Sequence, residues 1–131
     1  MDKVKVSDKL LLSVEKPARY TGGELNSIVK ETARLRFALC FPDVYEIGMS
    51  HLGSRILYEV INSREEYACE RCFAPWPDME KAMRENNVPI FTLETRTPLA
   101  ECDIVGFSLL YEMCYTNILQ ILDLSHIPLL T

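Results

Sequence analysis

This chain of 131 residues lacks the features that mark several large classes of protein. Its apolar runs fall far short of the roughly 20 residues that a membrane helix needs, and its start has no signal-peptide apolar core. Its 14 Lys and Arg residues are scattered and the net charge is −5, whereas nucleic-acid-binding proteins usually display a clustered basic face. We therefore expect a cytoplasmic protein that binds neither a membrane nor, directly, a nucleic acid.

Disulfide and metal-site patterns are also missing. The five cysteines form an odd set without the spacing of a disulfide framework, so we expect reduced thiols. Cys69 and Cys72 have the two-residue spacing of zinc and dithiol sites, but the chain has no partner pair, and a strand would point them to opposite faces. We predict neither a metal ligand nor a catalytic residue in this chain.

What the sequence does contain is the composition of a globular domain, with 48% hydrophobic and 25% charged residues. From about residue 34 onwards, predicted strands alternate with predicted helices, which indicates crossover units on a parallel sheet. We therefore predict an α/β fold with a doubly wound, three-layer parallel sheet over residues 34–131. Residues 1–33 are predicted to form an N-terminal arm packed on the sheet.

The strands are predicted from apolar runs and from the prolines and polar residues that flank them. The run that begins at Ile104 is apolar almost throughout, as expected of a central parallel strand. The last run looks like the start of a fifth strand that the sequence cuts short. The predicted strands are Leu35 to Phe41, Tyr67 to Phe73, Pro89 to Leu93, Ile104 to Leu110 and the start of one at Ile127 to Thr131, with a possible edge strand at Glu24 to Lys30.

Four helices are predicted from apolar periodicity and capping residues. A short one spans Ser7 to Val14 and another spans Pro77 to Asn86. One with its N-cap near Ser50 would cover the sheet with Leu52, Ile56, Leu57, Val60 and Ile61. The last helix would begin at Thr116 or Asn117, with a capping box from Asn117 to Gln120 and a buried stripe of Ile118, Ile121 and Leu122.

Two segments follow predicted strands at the place where an open α/β sheet binds its ligands: Phe41 to Gly53 and Gly106 to Glu112. Gly48 and Gly53 would let the backbone approach a ligand, and the helix start near His51 offers free amide groups. The spacing differs from the dinucleotide-binding Gly-x-Gly-x-x-Gly pattern, so an ordinary strand-to-helix turn remains equally compatible with the segment.

Side chains near this edge allow more than one interpretation. His51 could bind a metal or transfer protons, but no second ligand stands at a suitable spacing, so a capping or packing role is favoured. Tyr45, Glu46, Tyr111, Glu112 and Tyr115 would converge there, where they could cover a flat ligand or contact another domain.

Four strings of residues resemble a known family. They are Lys16 to Glu24, Phe41 to Gly53, Phe73 to Met79 and Gly106 to Glu112. Together they resemble the amino-terminal part of the fused cobalamin-binding, radical S-adenosylmethionine (radical SAM) proteins. The resemblance implies a flavodoxin-like, Rossmann-like domain of the corrinoid-binding type, which precedes a radical SAM barrel in the same polypeptide.

The resemblance also implies that the barrel carries a 4Fe-4S cluster and binds S-adenosylmethionine. These 131 residues contain no Cys-x-x-x-Cys-x-x-Cys motif, since Glu65 stands where the first cysteine would precede Cys69 and Cys72. We therefore expect both cofactors only in the barrel, outside this sequence, and no enzymatic activity from this chain alone. Relatives often transfer methyl groups, so the resemblance favours that reaction class and leaves the substrate open.

Corrinoid domains of the best-known type carry Asp-x-His-x-x-Gly and then Ser-x-Leu. Ser108 to Leu110 matches the second element, whereas around His51 the first element has Met49 for Asp and Ser54 for Gly. The resemblance thus makes His51 a doubtful cobalt ligand. The Gly-Gly element of such domains would lie just beyond Thr131, so we expect this chain to bind cobalamin weakly or not at all. The candidate cofactor-binding residues are Tyr45, Glu46, Gly48, Ser50, His51, Gly53, Ser108, Leu110, Tyr111 and Glu112.

Two other functions remain open from the sequence. The domain could be a cofactor-free docking or recognition module for the radical SAM barrel, which the departures around His51 favour. It could instead bind a flavin or a nucleotide in the same crevice, although the acidic rim and the missing phosphate loop argue against this.

Overall fold

The computed structural model describes residues 3–23, 27–109 and 112–129. Short 3₁₀ turns span Pro17–Arg19, Leu99–Glu101 and Glu112–Cys114. The longer elements are α1 (Asp8–Leu12), β1 (Leu35–Phe41), α2 (Tyr45–Met49), α3 (Leu52–Asn62), β2 (Tyr67–Phe73), α4 (Pro77–Glu85), β3 (Ile104–Phe107) and α5 (Tyr115–Leu124).

The three strands form one open parallel sheet in the order β2-β1-β3. Strands β1 and β2 have the predicted bounds at both ends, and they pair along their whole length from Leu35 opposite Tyr67 to Phe41 opposite Phe73. The predicted α/β class with a parallel, helix-flanked sheet is thus confirmed. This order is that of the first three strands of a flavodoxin-like fold.

The two faces of the sheet have cores of different size. The larger core contains Cys40 and Cys72 together with residues of α1, α4 and α5. The smaller core lies under α3 and contains Leu39, Tyr58 and Cys69. Cys69 and Cys72 therefore lie on opposite faces, as predicted, and all five cysteines are free thiols.

The outer edge of β2 is closed by side chains. The carbonyl oxygen of Tyr67 accepts a hydrogen bond from Lys30 Nζ at 2.6 Å. At Cys69 the Asn62 side chain binds both backbone groups, accepting from the amide at 2.9 Å and donating to the carbonyl at 3.0 Å. These bonds satisfy backbone groups that would otherwise offer a template for another strand.

Further along the same edge, the segment from Pro89 to Leu93 was predicted to be a strand. This segment and Glu94 instead bond to the backbone of β2 without forming a ladder. Leu93 donates its amide to the carbonyl of Arg71 at 2.9 Å, and the Arg71 amide donates to Glu94 Oε2 at 2.8 Å. A side chain thus replaces the backbone acceptor that a ladder would use. The predicted strand is wrong, because only an isolated bridge between Phe91 and Pro98 forms here.

Helix α3 packs against the sheet with the opposite face from the one predicted. Of the five apolar residues expected to cover the sheet, only Ile61 packs against the smaller core. Leu52, Ile56, Leu57 and Val60 are 66%, 53%, 46% and 60% exposed. The inner face instead carries three buried polar residues, Ser54, Tyr58 and Asn62.

Hydrogen bonds explain this orientation. Asn62 holds the edge of β2, and the Tyr58 hydroxyl accepts the amide of Ile28 at 2.7 Å. Because buried polar groups without partners are costly, these bonds fix the polar face inward and leave the apolar face outward.

Strand β3 differs from the predicted central strand. It pairs only with β1 among the described residues, it is an edge strand, and Ile104 is half-exposed. It ends at Phe107, and Leu110 lies outside the described residues.

Helix α5 begins at Tyr115, slightly before the predicted start. The predicted capping box is wrong, because Asn117 donates to the carbonyl of Pro42 and Gln120 donates to Glu80. In the predicted stripe Ile121 is buried, whereas Ile118 and Leu122 are only partly buried.

The shorter helices follow the prediction closely, whereas the two terminal strands do not form in the described residues. Helix α1 has Ser7 as its N-cap, and α4 begins at Pro77 and ends one residue earlier than predicted. Residues 27–30 and 127–129 are not in strands, and residues 24–26 and 130–131, which complete those two predictions, lie outside the described part of the chain.

Candidate functional site

The loops that follow the three strands meet at the carboxyl edge of the sheet. After β3, the Ser108 amide donates to the carbonyl of Cys40 at 3.0 Å. After β2, the Ala74 amide donates to the carbonyl of Asp43 at 2.9 Å. The two segments predicted to share this edge are therefore brought together, with the loop after β2 beside them.

Aromatic rings fill the space between β1 and β2 at this edge. Tyr45 contacts Phe73 edge-on, with ring centroids 5.7 Å apart, and Phe41 packs against His51 at 4.8 Å. A Cβ atom at Gly48 would lie 2.1 Å from the Phe73 ring. Gly48 is thus required for packing against the chain's own ring, which leaves no room there for a ligand.

The N-terminal arm completes the edge, a contribution that the sequence did not reveal. Arg19 Nε donates to Glu46 Oε1 at 2.8 Å, and its guanidinium lies 5.1 Å from the centroid of the Trp76 ring. The Trp76 amide donates to the Tyr20 hydroxyl at 3.2 Å. A signal for this contact existed in the sequence, because the two contacting segments lie in the strings Lys16 to Glu24 and Phe73 to Met79, which both carry the family resemblance.

These contacts change the electrostatics of the predicted site. The hydrogen bond from Arg19 lowers the pKa of Glu46, so this carboxylate is charged and held by the arm. Burial raises the pKa of the Tyr20 hydroxyl, which accepts a hydrogen bond in its neutral form. Neither group is poised for proton transfer.

His51 caps helix α3, a position that the sequence assigned to Ser50. Its Nδ1 accepts the amide of Ser54 at 3.1 Å, whereas the Ser50 hydroxyl donates to the carbonyl of Glu46. Because an amide can only donate, the neutral imidazole carries its proton on Nε2. In this arrangement neither ring nitrogen has a lone pair free for cobalt. A Cβ atom at Gly53 would lie 2.9 Å from the His51 ring, so this glycine also serves packing.

The remaining candidates lie on the β3 side of the edge. Ser108 extends the pairing with β1 through its amide, and Glu112 is exposed in a 3₁₀ turn. Leu110 and Tyr111 lie outside the described residues.

The β1–β2 side of the edge does not fit a corrinoid. Two clefts on this side, of about 360 and 300 Å³ including the solvent at their mouths, share Phe73 as a wall in the described part of the chain. Pockets for drug-sized molecules span roughly 300 to 1,000 Å³, and cobalamin is larger than such molecules. In the described part of the chain no three His, Cys, Asp or Glu side chains form a group that could hold a metal ion.

Large apolar side chains stand exposed around this edge. Each lies in a loop or in the first turn of a helix that follows one of the strands, and each is between 44% and 66% exposed. We call this set the carboxyl-edge surface. Its members are Ile47, Leu52, Trp76, Leu109 and Tyr115.

A sequence profile described as "Radical SAM proteins, N-terminal" matches residues 53–131. The chain belongs to this family. The match spans α3 to α5, and it includes Trp76 and the loop after β3. The family resemblance is thus confirmed for a radical SAM N-terminal domain, which is not specifically a cobalamin-binding one.

Neither the curated proteins nor the solved structures contain a match to this chain. In the described ranges, no helix has the length and apolar character that crossing a membrane requires.

Proposed function

We propose that this radical SAM N-terminal domain docks the radical SAM catalytic part through its carboxyl-edge surface. The observation that carries the proposal is the exposure of apolar side chains from the loops after all three strands on one edge. Single exposed apolar residues are ordinary, whereas several at one edge of a sheet favour an interaction site.

The rigidity of the edge supports docking. Arg19 joins the arm to Glu46 and Trp76, so α2 and the start of α4 are held together before any partner arrives. A preorganised surface loses less conformational entropy on binding than a mobile one. Trp76 is half-exposed beside a guanidinium, and tryptophan and arginine are the residues that most often dominate binding energy at interfaces.

Corrinoid binding, with methyl transfer as its reaction class, is a second candidate. It is favoured by the β3 side of the edge, where Leu109 is half-exposed next to the end of β1 and could lie against a flat macrocycle. The engaged His51 ring and the filled β1–β2 side make it the weaker of the two.

The chain alone should therefore fail to retain hydroxocobalamin. After incubation with excess hydroxocobalamin and gel filtration, we expect no corrinoid absorbance in the protein peak. Stoichiometric retention would make corrinoid binding the leading function. In that case His51→Ala should leave the spectrum of the bound corrinoid unchanged. The His51 Nδ1 atom accepts the Ser54 amide and Nε2 carries the proton, so neither nitrogen is expected to bind cobalt.

Docking can be followed through Trp76, which is the chain's single tryptophan. The chain labelled with 5-fluorotryptophan gives one ¹⁹F resonance, so titration with the unlabelled catalytic part reports on this ring alone. We expect the resonance to shift and lose its solvent isotope effect as the ring becomes buried. An unchanged resonance in a complex shown to form by sedimentation would place the docking surface elsewhere.

Substitutions can locate the surface further. We expect Leu109→Asp to weaken docking at least about tenfold, because it places a charge in an apolar interface. Leu12→Asp is the matched control, since Leu12 is an exposed leucine on α1 and outside the carboxyl-edge surface. Equal effects of the two substitutions would contradict the proposal.

A further inference from the structure

Helix α3 carries an apolar stripe that no described part of the chain covers. Leu52, Ile56 and Val60 recur every fourth residue, and Leu57 widens the stripe by one position. We call these four residues the outer stripe. Folded monomers rarely expose an amphipathic helix with its apolar side outward, because the exposed area opposes solubility.

Charged residues border the outer stripe on one side. Arg55 and Glu59 lie one turn apart on that border, and both are exposed. Neither forms an ion pair within residues 3–23, 27–109 and 112–129, although their spacing would allow one between them. One positive and one negative group therefore remain available beside the stripe.

We propose that a second copy of this chain covers the outer stripe, with the two α3 helices packed antiparallel about a two-fold axis. In such a pair, the side of α3 that carries Arg55 and Glu59 faces the same side of the other copy, and the two helices run in opposite directions. Arg55 then lies opposite Glu59 of the second copy, and Glu59 lies opposite its Arg55. A parallel pair would instead place this border against the opposite side of the other stripe, away from its Arg55 and Glu59, so only the antiparallel arrangement pairs these charges.

The proposal is separate from docking of the catalytic part. The outer stripe shares Leu52 with the carboxyl-edge surface, but Ile56, Leu57 and Val60 point away from that edge along α3. Tests on Ile56, Arg55 and Glu59 therefore leave the carboxyl-edge surface intact.

Sedimentation equilibrium of the wild-type chain should give twice the chain mass at micromolar concentrations. We expect Ile56→Glu to give a monomer, because it buries a charge at the centre of the interface. Leu12→Glu is the matched control, because Leu12 is 79% exposed on α1, and it should stay dimeric. Circular dichroism of each variant shows that it remains folded.

A charge exchange tests the antiparallel register. Arg55→Glu alone and Glu59→Arg alone should each weaken the dimer about tenfold by placing like charges opposite one another. The double variant Arg55→Glu, Glu59→Arg should restore the wild-type dissociation constant. A monomeric wild-type chain, or a dimer that survives Ile56→Glu, would overturn the proposal, and single variants without rescue by the double would overturn the register.

Discussion

Replacing Arg36 with methionine should destabilise the protein by about 3 to 5 kcal/mol, because it leaves a buried carboxylate without its cation. Glu70 lies in the middle of β2 with no exposed surface, and Arg36 on the neighbouring β1 donates Nη1 to its Oε2. The other oxygen accepts the hydroxyls of Thr92 and Thr95, each at 2.5 Å. Removal of the guanidinium breaks the one charged contact in this network.

The threonines cannot compensate for the loss. Thr95 uses its single hydroxyl proton on Glu70, so Thr97 must donate to Thr95, and the Thr97 amide donates to Thr92. Every donor in the group is thus committed already. The charge of Glu70 would have to be neutralised by a proton or moved towards water, and both responses cost stability.

Urea denaturation of Arg36→Met measures the effect. Arg34→Met is the matched control, since Arg34 is 82% exposed in its ion pair with Glu66, and it should change stability by less than about 0.5 kcal/mol. The double variant Arg36→Met, Glu70→Leu should recover much of the loss. A single variant as stable as the control would show that Glu70 does not depend on Arg36.

The same residues show how far the sequence predicts this fold. The bounds of β1 and β2 follow from apolar runs, with Pro42 after the first, and both were predicted correctly. Glu70 and the threonines are polar residues whose partners lie 22 to 34 positions away. No local pattern predicts such bonds, so the segment from Pro89 to Leu93 was read from its apolar content as a strand.

Helix α3 illustrates a second limit. Its 3.6-residue periodicity correctly predicts a helix with one apolar face, but periodicity does not tell which face lies inside. Here Tyr58 and Asn62 have long-range backbone partners, and their hydrogen bonds decide the orientation. A helix with buried polar and exposed apolar residues therefore points to a partner that the sequence alone does not reveal.

The sequence correctly predicts that the two loop segments meet at the carboxyl edge of the sheet, but it does not predict the contacts made there. Strand order and loop position predict the carboxyl edge, because ligands of parallel sheets bind there. The filling of that edge by Phe73 and its covering by Arg19 depend on contacts between distant segments, which spacing does not encode. His51 was assigned correctly to capping or packing, and the Ser54 amide supplies the reason.

The second large effect is expected at Arg71, on the other face of β2. Its Nε donates to Glu94 Oε1 at 2.7 Å, its Nη2 donates to Ser27, and its guanidinium lies 4.4 Å from the centroid of the Tyr58 ring. Glu94 has no exposed side-chain surface, and burial raises its pKa even though Arg71 acts to lower it. Arg71→Met should therefore cost about 3 to 5 kcal/mol at neutral pH.

This cost should depend on pH, unlike that of a simple packing defect. A carboxyl group with a raised pKa in the folded state binds its proton more readily there than in the unfolded chain. Its contribution to stability is therefore full below the unfolded pKa and is lost as the pH rises through the folded pKa. Without Arg71 the pKa of Glu94 rises further, so the penalty of Arg71→Met should shrink as the pH falls from neutral towards the carboxyl range.

Urea denaturation of wild type and Arg71→Met at neutral and mildly acidic pH provides the measurement. The double variant Arg71→Met, Glu94→Gln removes the titrating group, so its stability relative to Glu94→Gln should change little with pH. A penalty that is the same at both pH values would mean that Glu94 finds another cation or reaches water. The ion pair between Arg71 and Glu94 would then not hold the segment after α4 against β2. A penalty that disappears at acidic pH would instead identify this buried charge as the link between that segment and the sheet.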